Sequence, residues 1–288
     1  QLSRTWKITL ACCVTTTTLA LILGLACAHL FDVGKGVDVV MFQDAMAQHK
    51  TLDTLTPSSF FTNFIQNTLI NPFKAFADGN VLAVVVFALF VGVALVAGGD
   101  KFRTVRKLSM QFFDIMMLMI GWVMKLAPFG IFALLAKLIA TEDISVLSRL
   151  AEFAAVVTGT TIFHGLVVLP LLLWIFGKMN PITFFKGTRA ALITAFATSS
   201  SSATMPLSMK CAQENLGVRP HTAGFVIPLG TQLNMDGTAL YEAAAALFIA
   251  NLMGLDLTLG QQLVVCATAM IASLGAPGIP SAGMVTMI

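Results

Sequence analysis

Charge is what this chain has least of. Only 11% of its 288 residues are Asp, Glu, Lys or Arg, against about 25% in a soluble domain. That scarcity excludes an ordinary water-soluble domain, and the 57% of hydrophobic residues points instead to a polytopic membrane protein. The net charge of +3 is too small and too dispersed to form a basic face for nucleic acid. The five cysteines are odd in number and mostly sit in apolar runs, with neither a disulfide framework nor metal-ligand spacing. No nucleophile–base pair or metal triad falls at membrane depth, so neither an enzyme nor a cofactor is expected. An initiator methionine is missing as well. The chain starts just before one hydrophobic run and stops inside another at Met287-Ile288, as expected of an interior piece of a longer protein.

What is abundant is apolar sequence in long runs. Ile8–Phe31, Val81–Gly99, Phe112–Ile139 and Phe153–Phe176 each approach or exceed the roughly 20 residues a spanning helix needs. Lys101, Arg103, Arg106 and Lys107 follow the second run, and Lys178, Lys186 and Arg189 follow the fourth. With Arg4 and Lys7 they place these ends on the cytoplasmic side, opposite loops that carry Asp32, Asp38, Asp44, Asp53, Glu142 and Asp143. A multi-pass protein of the cell membrane is expected, with the lipid bilayer as its first partner. His164, alone in an apolar run, reads as a packing residue.

Beyond Lys186 the runs are interrupted. Ala190–Ala197 is too short to span and leads into Thr198-Ser199-Ser200-Ser201-Ser202, after which Ala203–Met209 is apolar again. Basic residues at both ends predict that the segment enters and leaves on one side, a re-entrant hairpin with serines at its tip. Gln261–Leu274 followed by Gly275-Ala276-Pro277-Gly278-Ile279-Pro280-Ser281-Ala282-Gly283 has the same shape. Between them, Asn234-Met235-Asp236-Gly237-Thr238 sets a carboxylate and an amide amid apolar flanks. A charge at that depth costs several kcal/mol unless paired, and freed carbonyls beside a carboxylate suit a small cation. Irregular backbone at membrane depth is tolerated where it lines a cavity, so the three breaks predict one site near the midplane.

These residues resemble the dicarboxylate/amino acid:cation symporter family, which includes the glutamate transporters. The match rests on Thr198–Pro206, on Ile227-Pro228-Leu229-Gly230 leading into Asn234–Thr238, and on the Gly275–Gly283 tip. The resemblance implies an all-α elevator-type transporter built from inverted repeats, with two re-entrant hairpins flanking a broken helix, assembled as a homotrimer. Residues 1–31 would be a transport-domain helix and 32–152 the scaffold helices with an extracellular connection. Residues 153–288 would form the transport-domain core, with hairpins at about 184–216 and 260–288 around a broken helix at about 221–253. An equivalent helix should follow the second hairpin, and the chain ends first.

By the same resemblance, Ser200, Ser201, Met235 and Thr238 would contact substrate, together with Gly278, Ile279, Pro280 and Gly283 of the second tip. Sodium would be held by Gly230, Asn234 and Asp236 with Thr16 and Thr17, and by Gln232, Ser273 and Leu274 through backbone carbonyls. Packing through small hydroxyls is the other reading of Thr15–Thr18. Glu242, amid alanines, is either a structural acid or, as the resemblance implies, a group for proton co-transport and potassium counter-transport. The function implied is sodium-coupled symport of glutamate or aspartate. A neutral amino acid or C4-dicarboxylate carrier is the alternative within the class, and an anion channel or transport-dead sensor the alternative outside it.

Overall fold

The computed structural model describes residues 2–35, 65–66, 69–141 and 144–275. Every regular element among them is a helix. In chain order these are α1 (Leu2–Leu30), α2 (Pro72–Ala77), α3 (Val81–Ala97), α4 (Arg103–Thr141), α5 (Ile144–Phe163), α6 (Leu169–Gly177), α7 (Pro181–Thr198), α8 (Ser201–Lys210), α9 (Pro220–Leu233), α10 (Asp236–Leu252) and α11 (Leu259–Gly275). Two compact units emerge, one holding residues 2–35 and 149–275, the other the described residues between 65 and 148.

In the second unit, Asn71 and Asn80 cap α2 and α3 by accepting the Phe73 and Ala83 N–H groups. The long α4 exceeds the expected Phe112–Ile139 because Arg103, Arg106 and Lys107 continue the helix beyond its apolar part. Hydropathy registers only the apolar portion of such a helix. Its two halves, Gly99–Val123 with the preceding turn and Pro128–Lys137, are bent by 49°, and Pro128 supplies the cause because it cannot donate to the helix ladder.

The first unit is organised around α10. Asp236, Ala239, Leu240, Glu242 and most residues through Ala250 are buried, so this helix is covered nearly all round, as a core helix must be. Its closest neighbour is α1. A Cβ on Gly24 would stand 2.9 Å from the Leu240 carbonyl oxygen, so glycine there sets how near the two helices come. Leu21, Ala239, Ala243 and Ala269 form one apolar cluster, joining α1 and α10 to α11. Ala28, Val33, Ala244, Leu247 and Phe248 form another, on which Leu150, Phe153, Val156 and Val157 of α5 pack. Phe153 stacks on Phe248 at 4.6 Å between ring centres. Polar ties fix the ends: Asn251 Nδ2 donates to the Val33 carbonyl (2.8 Å), and the His29 ring meets Gln262 Oε1 (2.9 Å), fastening the start of α11 to α1.

Thr5–Leu30 and Leu147–Gly177, which belongs to this unit from Arg149 onward, are long and apolar enough to cross a membrane. The latter contains the expected Phe153–Phe176 and is continuous through a π turn at His164–Val168, where the Leu169 N–H bonds the His164 carbonyl. A wide turn suits this point because Pro170, two residues into α6, has no N–H to offer.

Candidate functional site

The serine run is mostly helix. Asn180 caps α7 by accepting the Ile182 N–H, with Pro181 in the first turn, and α7 stops at Ser199, which takes a left-handed conformation (φ 49°). Ser200 is extended (φ −137°, ψ 115°) and its Oγ accepts the Ala203 N–H at 3.2 Å, so it is the N-cap of α8. Thr204 Oγ1 returns a hydrogen bond to the Ser200 carbonyl (2.8 Å). The turn therefore spans only Ser199 and Ser200. Ser200 is buried, whereas Ser201 is exposed at the start of α8. A cavity of about 490 Å³ lies between α7, α8 and α9 beside Ser201 and Thr231, and its lining includes neither Met235 nor Thr238.

The helix break falls where the sequence predicts. Asn234 (φ −103°, ψ 76°) and Met235 (φ −104°, ψ 55°) leave helical geometry between α9 and α10. The Gly230 carbonyl receives the Asn234 N–H (2.9 Å) and the Met235 carbonyl receives that of Ala239 (3.0 Å). Between those two bonds the break exposes carbonyls at the end of α9 and N–H groups at the start of α10 that have no intrahelical partner. Asp236 is the first residue of α10, where a helix favours negative charge.

The carboxylate of Asp236 is not left alone. Thr17 Oγ1 donates to its Oδ1 at 2.7 Å, and Thr16 Oγ1 lies 3.2 Å from the same oxygen. Thr16 Oγ1 is also 3.0 Å from Asn234 Oδ1 and 3.1 Å from the Cys13 carbonyl. A hydroxyl has one proton to give, yet three acceptor oxygens surround this one. Oxygens in excess of protons, one of them on a carboxylate, suit a hard cation bound by oxygen ligands. Among the described residues no three His, Cys, Asp or Glu side chains cluster as a metal centre, so the donor set here is alcohol, amide, carboxylate and carbonyl. The four threonines divide cleanly: Thr15 and Thr18 bond back to the Ala11 and Val14 carbonyls (2.7 Å each), while Thr16 and Thr17 reach the break.

Four expected ligands, Thr16, Thr17, Asn234 and Asp236, thus come together in space. Gly230 stands on the last turn of α9 with its carbonyl taken by Asn234. Gln232 is exposed and donates from Nε2 to Ser202 Oγ (3.1 Å), tying the end of α9 to the first turn of α8. Met235 and Thr238 are half-buried on either side of Asp236. Ser273 is fully buried in α11 and donates to the Met270 carbonyl (2.9 Å), and Leu274 follows it in the same helix. Glu242 is buried, 3% exposed, in the middle of α10. Gly278, Ile279, Pro280 and Gly283 lie outside the described residues.

Sequence reasoning missed two participants. The Cys13 carbonyl carries no signature, because any residue has one. His164, read as a packing residue, brings Nε2 to 3.3 Å from Asp236 Oδ2, with both side chains buried. A lone histidine in an apolar run needs a partner at that depth, and the carboxylate of Asp236 was the signal available.

The chain is 43% identical over 215 residues to an excitatory amino acid transporter of Caenorhabditis elegans (73% of this chain, 42% of that protein). It is 42% identical over 215 residues to excitatory amino acid transporter 3 of Mus musculus (74% and 41%). Human neutral amino acid transporter B(0) is 41% identical over 210 residues (72% and 39%). The chain spans between 39% and 42% of the length of these curated relatives. Residues 1–288 match the description of the sodium:dicarboxylate symporters, and the chain belongs to the sodium:dicarboxylate symporter family.

Proposed function

We propose that the chain forms the ion-binding core of a sodium-coupled symporter for acidic amino acids, a transporter and not an enzyme, working as a homotrimer in the cell membrane. The observation that carries this reading is the oxygen cluster of Thr16, Thr17, Asn234 and Asp236 at the break between α9 and α10. Sodium entering it would supply the positive charge that the Asp236 carboxylate and the crowded acceptors call for. The ion holds Asn234 and Asp236 against α1, and so orders Met235 between them and Thr238 just beyond. Substrate then lies against these residues and the Ser200–Ser201 turn.

The pair α7–α8 is the first re-entrant hairpin in this reading, and α11 is the first arm of the second, whose tip closes over the load. The transport domain then moves by an elevator step against the scaffold. Coupling follows if closure is favourable only with ion and substrate both present. Each sodium entering contributes about 2.3 kcal/mol per 100 mV of membrane potential, besides its concentration gradient. Glu242, buried six residues past Asp236, is assigned to proton co-transport.

Uptake of radiolabelled aspartate by proteoliposomes holding the full-length protein tests this. An inward sodium gradient should drive accumulation, and Asp236→Asn should abolish it; uptake indifferent to sodium, or unchanged in the variant, would overturn the reading. A neutral amino acid carrier is the second reading, favoured by the 41% identity to a neutral amino acid transporter. Uptake of labelled alanine or serine separates the two, since a neutral carrier would accumulate them in place of aspartate.

A further inference from the structure

His164 has one directional tie. It is 4% exposed, its Nε2 faces Asp236 Oδ2 at 3.3 Å, and its Nδ1 is buried with no hydrogen-bond partner among the described residues. Because a carboxylate oxygen only accepts, the nitrogen facing it, Nε2, carries a proton. A buried polar atom without a partner is costly, and an apolar residue would fill this place without that cost. A purely structural histidine would be expected to use both nitrogens. The asymmetry places the role of this ring on the Asp236 side.

The fold supports that assignment. His164 opens the π turn between α5 and α6, one helical turn past Thr160, whose hydroxyl is occupied by the Val156 carbonyl (2.6 Å). The α5 face that carries both residues is held against α10 by Phe153, Val156 and Val157, so the ring is presented from a rigid support. Asp236, by contrast, has a soft terminal torsion with two near-equivalent orientations. Thr16 and Thr17 both address Oδ1, and among the described hydrogen bonds only His164 addresses Oδ2.

We infer that His164 is a positioning residue for the coupling ion. Its Nε2–H holds Asp236 Oδ2, which aims Oδ1 into the cluster formed by Thr16, Thr17 and Asn234. The inference rests on the sodium reading given above and extends it to a residue that need not touch the ion. Groups that orient ligating carboxylates from behind change metal affinity when removed, even though they contact no metal.

The test is the thermal unfolding of the purified full-length protein, titrated with sodium chloride at constant ionic strength in choline chloride. Wild type should gain melting temperature with sodium in a saturable way; its failure to do so would overturn the sodium reading itself, and this inference with it. Measured from its own melting temperature in choline, His164→Leu should need about 10-fold or more sodium for half of the gain, while His164→Gln, which restores an N–H donor, should return to within about threefold of wild type. A leucine variant with wild-type sodium dependence would overturn the inference and leave the sodium reading standing. So would a glutamine variant no better than leucine, because the ring's volume and not its N–H would then matter. If His164→Leu does not fold, His164→Phe keeps the ring's bulk without the donor and carries the same expectation.

Discussion

Thr17 donates its hydroxyl proton to Asp236 Oδ1 across 2.7 Å, joining α1 and α10 at positions 219 residues apart. Both side chains are buried, and the bond lies where the broken helix resumes. It couples the packing of the core to the orientation of the one carboxylate at the break. Disturbing either helix therefore reaches the proposed ion site.

Thr17→Val keeps the shape and removes the donor. Leaving a buried carboxylate oxygen with one donor fewer should cost about 1–3 kcal/mol of stability. Sodium affinity should fall with it, and Thr17→Ser should restore both. Melting curves in choline and in sodium separate the two effects.

Gly24→Ala tests the same coupling from a distance. The added Cβ would sit 2.9 Å from the Leu240 carbonyl oxygen and 3.2 Å from its Cγ, and neither backbone can yield without parting the helices. Overpacking of this kind costs about 1–3 kcal/mol. Sodium affinity should drop although residue 24 lies about two helical turns from Thr17 along α1. A loss of stability with unchanged sodium affinity would show that the helix spacing does not govern the site.

Ser200 and Ser201 should respond differently to alanine. Ser200→Ala removes the cap of α8, a loss of about 1 kcal/mol seen in melting temperature. Ser201 is exposed, so Ser201→Ala should leave stability alone and raise the substrate concentration for half-maximal uptake.

The break at Asn234–Met235 could be read from the sequence because polar residues in hydrocarbon are rare and need a reason, whereas Thr16 and Thr17 stand out from their neighbouring threonines only through the family resemblance. The serine run was legible as a turn but not in its detail. Which serine caps the helix depends on Ser199 adopting a left-handed backbone, and four consecutive serines give no local cue to that choice. His164 was harder still: it lies 72 residues from Asp236, and only the packing of α5 on α10 brings them together. The length of α4 was underestimated because its basic first turns are helical without being apolar.

Outside the spanning helices, Lys35 sits 2.6 Å from Asp32 and both are exposed. The hydrogen bond from Lys35, reinforced by its charge, holds the Asp32 carboxyl below its usual range, and the same contact raises Lys35 above its own. A depressed acid contributes stability at neutral pH and loses it as pH falls through the folded value. A raised lysine loses its contribution as pH rises through its own folded value. Asp32→Asn suits the left-handed backbone there (φ 45°) and should differ slightly from wild type at neutral pH. Melting temperatures measured against pH should converge in acid.

Calorimetric titration of sodium into the purified full-length protein, in wild type and in Asp236→Asn, tests the proposed ion site most directly. The expected result is saturable sodium binding in wild type that is lost or greatly weakened when the carboxylate becomes an amide. Equal sodium binding by both proteins would contradict the assignment of the Thr16–Thr17–Asn234–Asp236 cluster as the place where the ion is held.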